Sequence, residues 1–305
     1  MTSNGMKFSI VTPTFNSEKY LRETIESVLS QKGDFEIEYI IQDGGSEDKT
    51  LDIIKFYEEK LLSGVYPIRC KNITFKWFSN KDDGMYDAIN KGFARATGKI
   101  YAWLNSDDLY MPNALEKIRK VFEKFPEIEW LKGITSYIEG DSEIPETGSC
   151  YIYNQNWIRK GVYGINAYFI HQDSVFWRRK LWEKVGGIDT QYRLAGDYYL
   201  WLEFSKHAPL WSVNTPVSYF RKWEGQQTYS MKEYRKEQKS ILGRKEAGNI
   251  IIRLFFWLRP KFRNPSSNLF LNVLYRILFH GRNKRYIDLD EENNPIIKET
   301  FAYKV

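Results

Sequence analysis

Apolar positions in the first hundred residues alternate between two rhythms. Phe8-Ser9-Ile10-Val11-Thr12-Pro13 is a short β-rich run, and Pro13 is expected to end it because a proline cannot donate to a central ladder. From Ser17 onward the period lengthens, and Leu21, Ile25, Val28 and Leu29 fall on one helical face. Ile37 to Asp43 is a second strand; Gly44-Gly45 follows, with Ser46 placed to cap a helix through Leu51, Ile54 and Tyr57. Phe75 to Ser79 is a third, then a loop Asn80-Lys81-Asp82-Asp83-Gly84, then a helix carrying Ala88, Ile89, Gly92 and Phe93 that stops at Ala96-Thr97-Gly98. Ile100-Tyr101-Ala102-Trp103-Leu104 is the fourth strand and ends abruptly in Asn105-Ser106-Asp107-Asp108. Strands alternating with single helices predict an α/β domain, with a mostly parallel central sheet flanked by helices. Right-handed crossovers then bring the C-terminal strand ends to one edge.

Past a helix from Pro112 to Phe125 the pattern is mixed. Short strands are expected around Trp130 to Tyr137 and at Ser174 to Arg178, with a polar hairpin-like stretch near Gly140 to Gly148. A short helix ends at Gly186-Gly187, and a longer one starts at Gly196 with Asp197 in its first turn. Residues 1–231 read as one catalytic domain and 232–305 as a helical, basic and apolar extension. In that extension Ile250 to Leu258 and Leu269 to Phe279 are apolar runs interrupted by arginine and flanked by Arg259, Lys261, Arg263, Arg282, Lys284 and Arg285. Such a pair suits peripheral contact with an anionic membrane. The alternatives are packing on the core or on a second subunit in a homodimer. The acidic stretch from Asp288 to Asn294 reads as loose, with Ile296-Ile297 and Phe301-Ala302-Tyr303 able to dock.

Composition narrows the partners only a little. The 305 residues carry a net charge of +6 and a pI near 9.0, which suits phosphate groups, anionic lipid or nucleic acid. No zinc pattern, helix-turn-helix or aromatic sheet motif accompanies the charge, so a basic nucleic-acid-binding protein is the weaker reading. Two cysteines imply no disulfide framework. With neither a signal peptide nor an uninterrupted apolar span in view, the expected compartment is the cytoplasm, at the inner face of its membrane. The aromatic share of 16% is most simply a bulky core.

Asp43, Asp82 or Asp83, and Asp107 all follow strands and should converge on the common edge. Adjacent carboxylates at Asp107 and Asp108 make a hard oxygen site suited to Mg²⁺ or Mn²⁺ together with phosphate oxygens. The competing role for that pair is to open a turn and cap the next helix. Pro13-Thr14-Phe15-Asn16 stands where a dinucleotide site would carry Gly-x-Gly-x-x-Gly, and a P-loop is absent.

Taken in order, Phe8 to Asn16, Gln42-Asp43-Gly44-Gly45-Ser46, Asp83 to Gly92, and Trp103 to Asp108 resemble family 2 glycosyltransferases of the GT-A fold. His171-Gln172, Gly186-Gly187-Ile188-Asp189 and Ala195-Gly196-Asp197-Tyr198 are similar to members that build bacterial capsule, colanic-acid-type and exopolysaccharide units, so the resemblance covers about Lys7 to Tyr229. It implies inverting, metal-dependent, non-processive transfer of a sugar from a nucleotide diphosphate sugar, UDP favoured, to a glycan or lipid-linked acceptor. By position, Thr12, Pro13, Phe15 and Asn16 shape the nucleotide pocket, and Asp43 and Asp82 lie where uridine and ribose are held. Gly45, Ser46, Asn105, Ser106 and His171 complete the donor site. Asp107, with its neighbour Asp108, matches the metal carboxylate, and Asp197 the catalytic base. Asn105 stands in place of the first Asp of the Asp-x-Asp motif, and Gly196 replaces an acidic residue that often precedes the base. Arg221-Lys222-Trp223 only partly echoes the Gln-x-x-Arg-Trp motif of processive synthases. A sugar-phosphate nucleotidyltransferase is the nearer enzymatic rival, but its glycine-rich basic loop after the first strand is missing.

Overall fold

The structure is a computed structural model, and it describes residues 5–139, 142–143, 148–165, 167–224, 231–243, 273, 284–300 and 305. Its first half is the expected βα series: β1 (Met6–Thr14), α1 (Leu21–Leu29), β2 (Phe35–Asp43), α2 (Thr50–Leu62), β3 (Asn72–Ser79), α3 (Met85–Ala94) and β4 (Ile100–Trp103). β1 lies between β2 and β4 and runs parallel to both, and β2 pairs in parallel with β3.

Pro13 does not end β1, which continues to Thr14. The Val11 carbonyl accepts from Leu104 on the β4 side, whereas the Thr14 carbonyl accepts from Gly44 on the β2 side. Alternation therefore turns Pro13 toward β4, whose last residue, Trp103, is already paired with Val11. The missing N–H falls where no ladder partner remains.

The second half extends the same sheet. After β5 (Leu109–Tyr110) and α4 (Ala114–Lys124) come β6 (Trp130–Glu139), β7 (Ser142–Glu143), α5 (Gln155–Arg159), a 3₁₀ turn at Gln172–Ser174 and β8 (Val175–Arg178). Then follow α6 (Arg179–Val185), α7 (Gly196–His207), β9 (Leu210–Lys222), α8 (Met231–Leu242), β10 (Lys284–Leu289) and β11 (Pro295–Thr300). The strand order is β11-β10-β9-β6-β8-β4-β1-β2-β3. β8 is antiparallel to both β4 and β6, so the sheet is mixed beyond β4.

The long strand β9 is one that the hydrophobic pattern left unassigned. Pro216 lies within it, opposite Ile134 of β6 and beside register shifts in the pairing, where a residue unable to donate is accommodated. A second difference is at the C-terminus, where 284–300 forms a hairpin instead of a loose tail. The Asp290 carboxylate accepts from the backbone of Glu292 and Asn294, making the acidic stretch a turn, and Ile287 then pairs with Val213 of β9. Apart from Val273, the expected amphipathic helices at 250–258 and 269–279 lie outside the described residues, as does Phe301-Ala302-Tyr303. Among the described residues no helix is long and apolar enough to cross a membrane.

Each face of the sheet carries its own core. On one face Leu21, Ile25, Ile54, Ile118 and Val121 pack from α1, α2 and α4. On the other, Phe93, Trp182, Trp201 and Phe204 meet Trp130 or Trp177, and Trp157 belongs to the same cluster. Much of the aromatic content is spent here. Truncating the fully buried Trp177 to alanine would cost about 3 to 5 kcal/mol.

Candidate functional site

The loops after β1, β2 and β3 meet at one edge, with Asp43 at their centre. Its carboxylate accepts from the hydroxyls of Thr14 (3.1 Å), Ser46 (2.5 Å) and Ser79 (2.6 Å) and from the backbone of Gly45 and Ser46 (both 3.0 Å). Burial opposes ionisation, but the donors from Ser46, Ser79 and Gly45 outweigh it and hold the Asp43 carboxyl below its ordinary range. Ser46 is therefore drawn onto Asp43. It does not cap α2, which begins at Thr50 with the Asp48 side chain accepting from the Thr50 backbone at 2.9 Å.

Asn16, at φ 47°, is fastened to the same turn, since its N–H donates to Ser46 Oγ and its side chain accepts from Glu47. Thr12 and Pro13 are buried beneath, whereas Phe15 is 62% exposed at the rim. Asp82 lies over Gly44, where an added Cβ would sit 2.8 Å from its carboxylate. Burial, together with the nearby Asp87 and Asp43 charges, raises the Asp82 carboxyl above its ordinary value.

Asp107 and Asp108, adjacent in sequence, point to different environments. Asp108 is fully buried, and its carboxylate accepts from Gln172 Nε2 (3.1 Å) and the Arg221 backbone (3.1 Å). Burial, with Asp107 and Asp173 nearby, pushes its carboxyl well above the usual range. Asp107 is half-buried, and its Oδ2 accepts from Trp223 Nε1 at 2.8 Å. Arg221 bonds the Asp107 carbonyl, pairs with Glu23 at 2.7 Å and lies over the Tyr20 ring. Trp223 also meets Tyr20 edge-on. Asn105 accepts from Trp103 Nε1, and Ser106 shares a hydrogen bond with Ser17, which ties the β4 loop to the β1 loop.

The structure also brings Gln172, Arg221 and Trp223, to which motif reading gave no site role, onto Asp107 and Asp108. The signal was present in Arg221-Lys222-Trp223, but its position could not be judged while β9 was unassigned. As a metal site, this edge offers little to an all-protein cage, because among the described residues no three His, Cys, Asp or Glu side chains cluster. Mg²⁺ and Mn²⁺ often need only one or two carboxylates beside substrate phosphates and water, and the Asp107 carboxylate, oriented by an indole N–H, fits that smaller role.

Asp197 occupies the first turn of α7, where Tyr198 N–H (2.7 Å) and Tyr234 Oη (2.8 Å) both donate to its Oδ1. Burial raises its carboxyl to about 6, against the lowering effect of those donors. It borders a small cavity of about 10 Å³, space for roughly one water, lined also by Tyr163, Phe169, Tyr198, Trp201 and Tyr234. A Cβ on Gly196 would meet the Tyr86 ring at 2.8 Å, so a side chain there is excluded. Tyr86 in turn packs edge-on against Trp103 and donates to the Leu194 carbonyl, coupling the end of β4 to the start of α7. His171 packs among Phe169, Phe220 and Tyr137, and burial takes its pKa down to about 4. Its ring is neutral at neutral pH and brings no positive charge to the site.

The family model for glycosyl transferase family 2 matches residues 9–186, more than half of the chain. An uncharacterized glycosyltransferase of Rickettsia typhi is 27% identical over 202 residues, covering 64% of this chain and 58% of that protein. A PGL/p-HBAD biosynthesis glycosyltransferase of Mycobacterium bovis is 28% identical over 198 residues, covering 63% of this chain and 66% of that protein. The matched part thus spans about six-tenths of these relatives. Among solved structures, S. aureus TarS 1-349 in complex with UDP superposes with a TM-score of 0.59 at 19% identity, over 87% of this chain and 74% of that one. That likeness bears on the fold, and with the family match and the βα edge described above it leads to one assignment: the chain belongs to glycosyl transferase family 2.

Proposed function

We propose that the protein transfers a sugar from a nucleotide diphosphate sugar, a UDP-sugar by preference, to a glycan or lipid-linked acceptor, one unit per binding event and with inversion. The observation that carries this reading is the pair of differently prepared carboxylates, Asp107 after β4 and Asp197 at the start of α7, joined through Trp103 and Tyr86. Single displacement needs a base for the acceptor hydroxyl on the face opposite the leaving group. Asp197, raised to about 6, is ionised at neutral pH and remains basic enough to accept that proton. The rim formed by Phe15, Asn16, Ser46 and Asp82, supported by the Asp43 turn, is suited to a nucleoside. Asp107 would hold Mg²⁺ or Mn²⁺, which when bound supplies positive charge to the departing diphosphate. Support for the donor class comes from structural neighbours solved with UDP, with UDP-GlcNAc and, at a TM-score of 0.50, with GDP-Man and Mn²⁺.

Incubation with a panel of nucleotide sugars and Mn²⁺ tests the reading, with release of nucleoside diphosphate and the anomeric configuration of the product as readouts. Release of sugar phosphate instead would favour nucleotidyl chemistry, and a retained configuration would rule out single displacement.

The apolar, arginine-interrupted runs within 250–279 support peripheral contact with an anionic membrane, where a lipid-linked acceptor would be met. Co-sedimentation with anionic vesicles should fall with salt and when Phe255, Phe256 and Trp257 become polar. Insensitivity to both would return these runs to the core or to a homodimer interface.

A further inference from the structure

α8 lies outside the family match and beyond residue 231, yet it reaches the proposed base directly. Tyr234, Glu237, Gln238 and Ile241 recur at helical spacing and share one face of α8. Tyr234 Oη donates to Asp197 Oδ1, while the Glu237 carboxylate accepts from three consecutive backbone N–H groups, those of Arg193 (3.0 Å), Leu194 (2.8 Å) and Ala195 (2.8 Å). These are the residues that lead into α7. Tyr234, Ile241 and Leu242 also pack against Ala195, Tyr198 and Leu202. One helix therefore holds both the backbone that presents Asp197 and one oxygen of its carboxylate.

We propose that Tyr234 is a positioning residue for the base: its hydroxyl fixes Asp197 Oδ1 and leaves Oδ2 to take the acceptor proton, so that α8 completes the active site. This rests on the assignment of Asp197 as base. Among the described residues, the hydrogen bonds from Tyr198 N–H and from Tyr234 converge on Oδ1. A donor to the charged form favours ionisation, so Tyr234 opposes the burial that raises Asp197. Among the described residues, the other titratable groups facing Asp197 are Glu237 on α8 and Tyr86 on α3, an acid and a buried phenol, neither of them a cation.

The test compares wild type with Tyr234→Phe, which keeps the ring and loses the donor. Two readouts are needed: the carboxyl titration of Asp197 by ¹³C NMR, and the pH profile of UDP release from UDP-GlcNAc with Mn²⁺, or from another UDP-sugar if the wild type prefers it. Both the titration and the acid limb of the rate should move up by about one unit. Turnover should then be several-fold lower at pH 6 and close to wild type at pH 9. A fluorinated tyrosine at 234, a stronger donor of the same shape, should move both readouts down; this arm stands even if the phenylalanine variant folds poorly. A merely structural role predicts a uniform loss across pH with the titration unmoved, and that result overturns the proposal. If the titration moves and the acid limb does not, the tyrosine's hold on Asp197 stands and the assignment of Asp197 as base falls.

Discussion

At the residue scale, the two carboxylates should separate cleanly by substitution. Asp197→Asn keeps shape and still accepts from Tyr234 and Tyr198, but it takes no proton. Turnover should fall about 10²- to 10⁴-fold with donor affinity little changed. A carboxylate that only favours the positive end of α7, worth about 0.3 to 1 kcal/mol, would instead lower the melting temperature slightly and leave turnover near normal. Trp223→Phe removes the N–H that orients Asp107 Oδ2. It should weaken Mn²⁺-dependent UDP binding by about 10-fold and leave binding without metal unchanged, as measured by calorimetry. An equal loss with and without metal would make Trp223 part of the nucleotide pocket. At this scale the sequence was legible in bringing Asp43 and Asp82 to one edge, but not in Ser46, read as a helix cap and turned by the structure onto Asp43. The opposite orientations of Asp107 and Asp108 were not legible, because Gln172 and Arg221, which draw Asp108 inward, lie far along the chain.

At the scale of elements, one buried charge ties β1, β2 and β3 together in addition to their backbone ladders. Glu38 of β2 accepts from Ser9 of β1 (2.6 Å), Lys76 of β3 (2.9 Å) and the Thr97 backbone ahead of β4 (2.7 Å). Burial alone would raise its carboxyl, but the hydrogen bonds from Ser9, Lys76 and Thr97 and the attraction of Lys7 prevail and hold it at about 2. Its folded value lies below its unfolded one, so its stabilisation is present above the ordinary value near 4.5 and is lost as pH falls toward 2. Glu38→Gln should cost about 3 kcal/mol at pH 7, and the difference from wild type should shrink through that acid window in denaturant titrations. A difference constant with pH would mean that packing, not charge, carries the effect. Among the described residues, the βα series of the first half and α7 from Gly196 were legible from their period. β9 was obscured by Pro216, and the β10–β11 hairpin by an acidic turn whose order comes from backbone donors to Asp290.

For the whole molecule, the parallel βα half supplies the edge proposed to hold the nucleotide, while Trp223 just after β9, Asp197 of α7 and Tyr234 of α8 come from beyond residue 190. The first half follows from local alternation and could be read directly. The second is assembled by antiparallel and long-range pairing, for which a single sequence offers little warning. This division predicts that donor binding and proton removal are separable functions of one sheet edge. Its most direct test is calorimetry of UDP, with and without Mn²⁺, on wild type, Asp107→Ala and Asp197→Asn. The account predicts that Mn²⁺ strengthens UDP binding in wild type and Asp197→Asn, and that Asp107→Ala loses that gain while keeping its metal-free affinity. The same Mn²⁺-dependent gain in Asp107→Ala would contradict it.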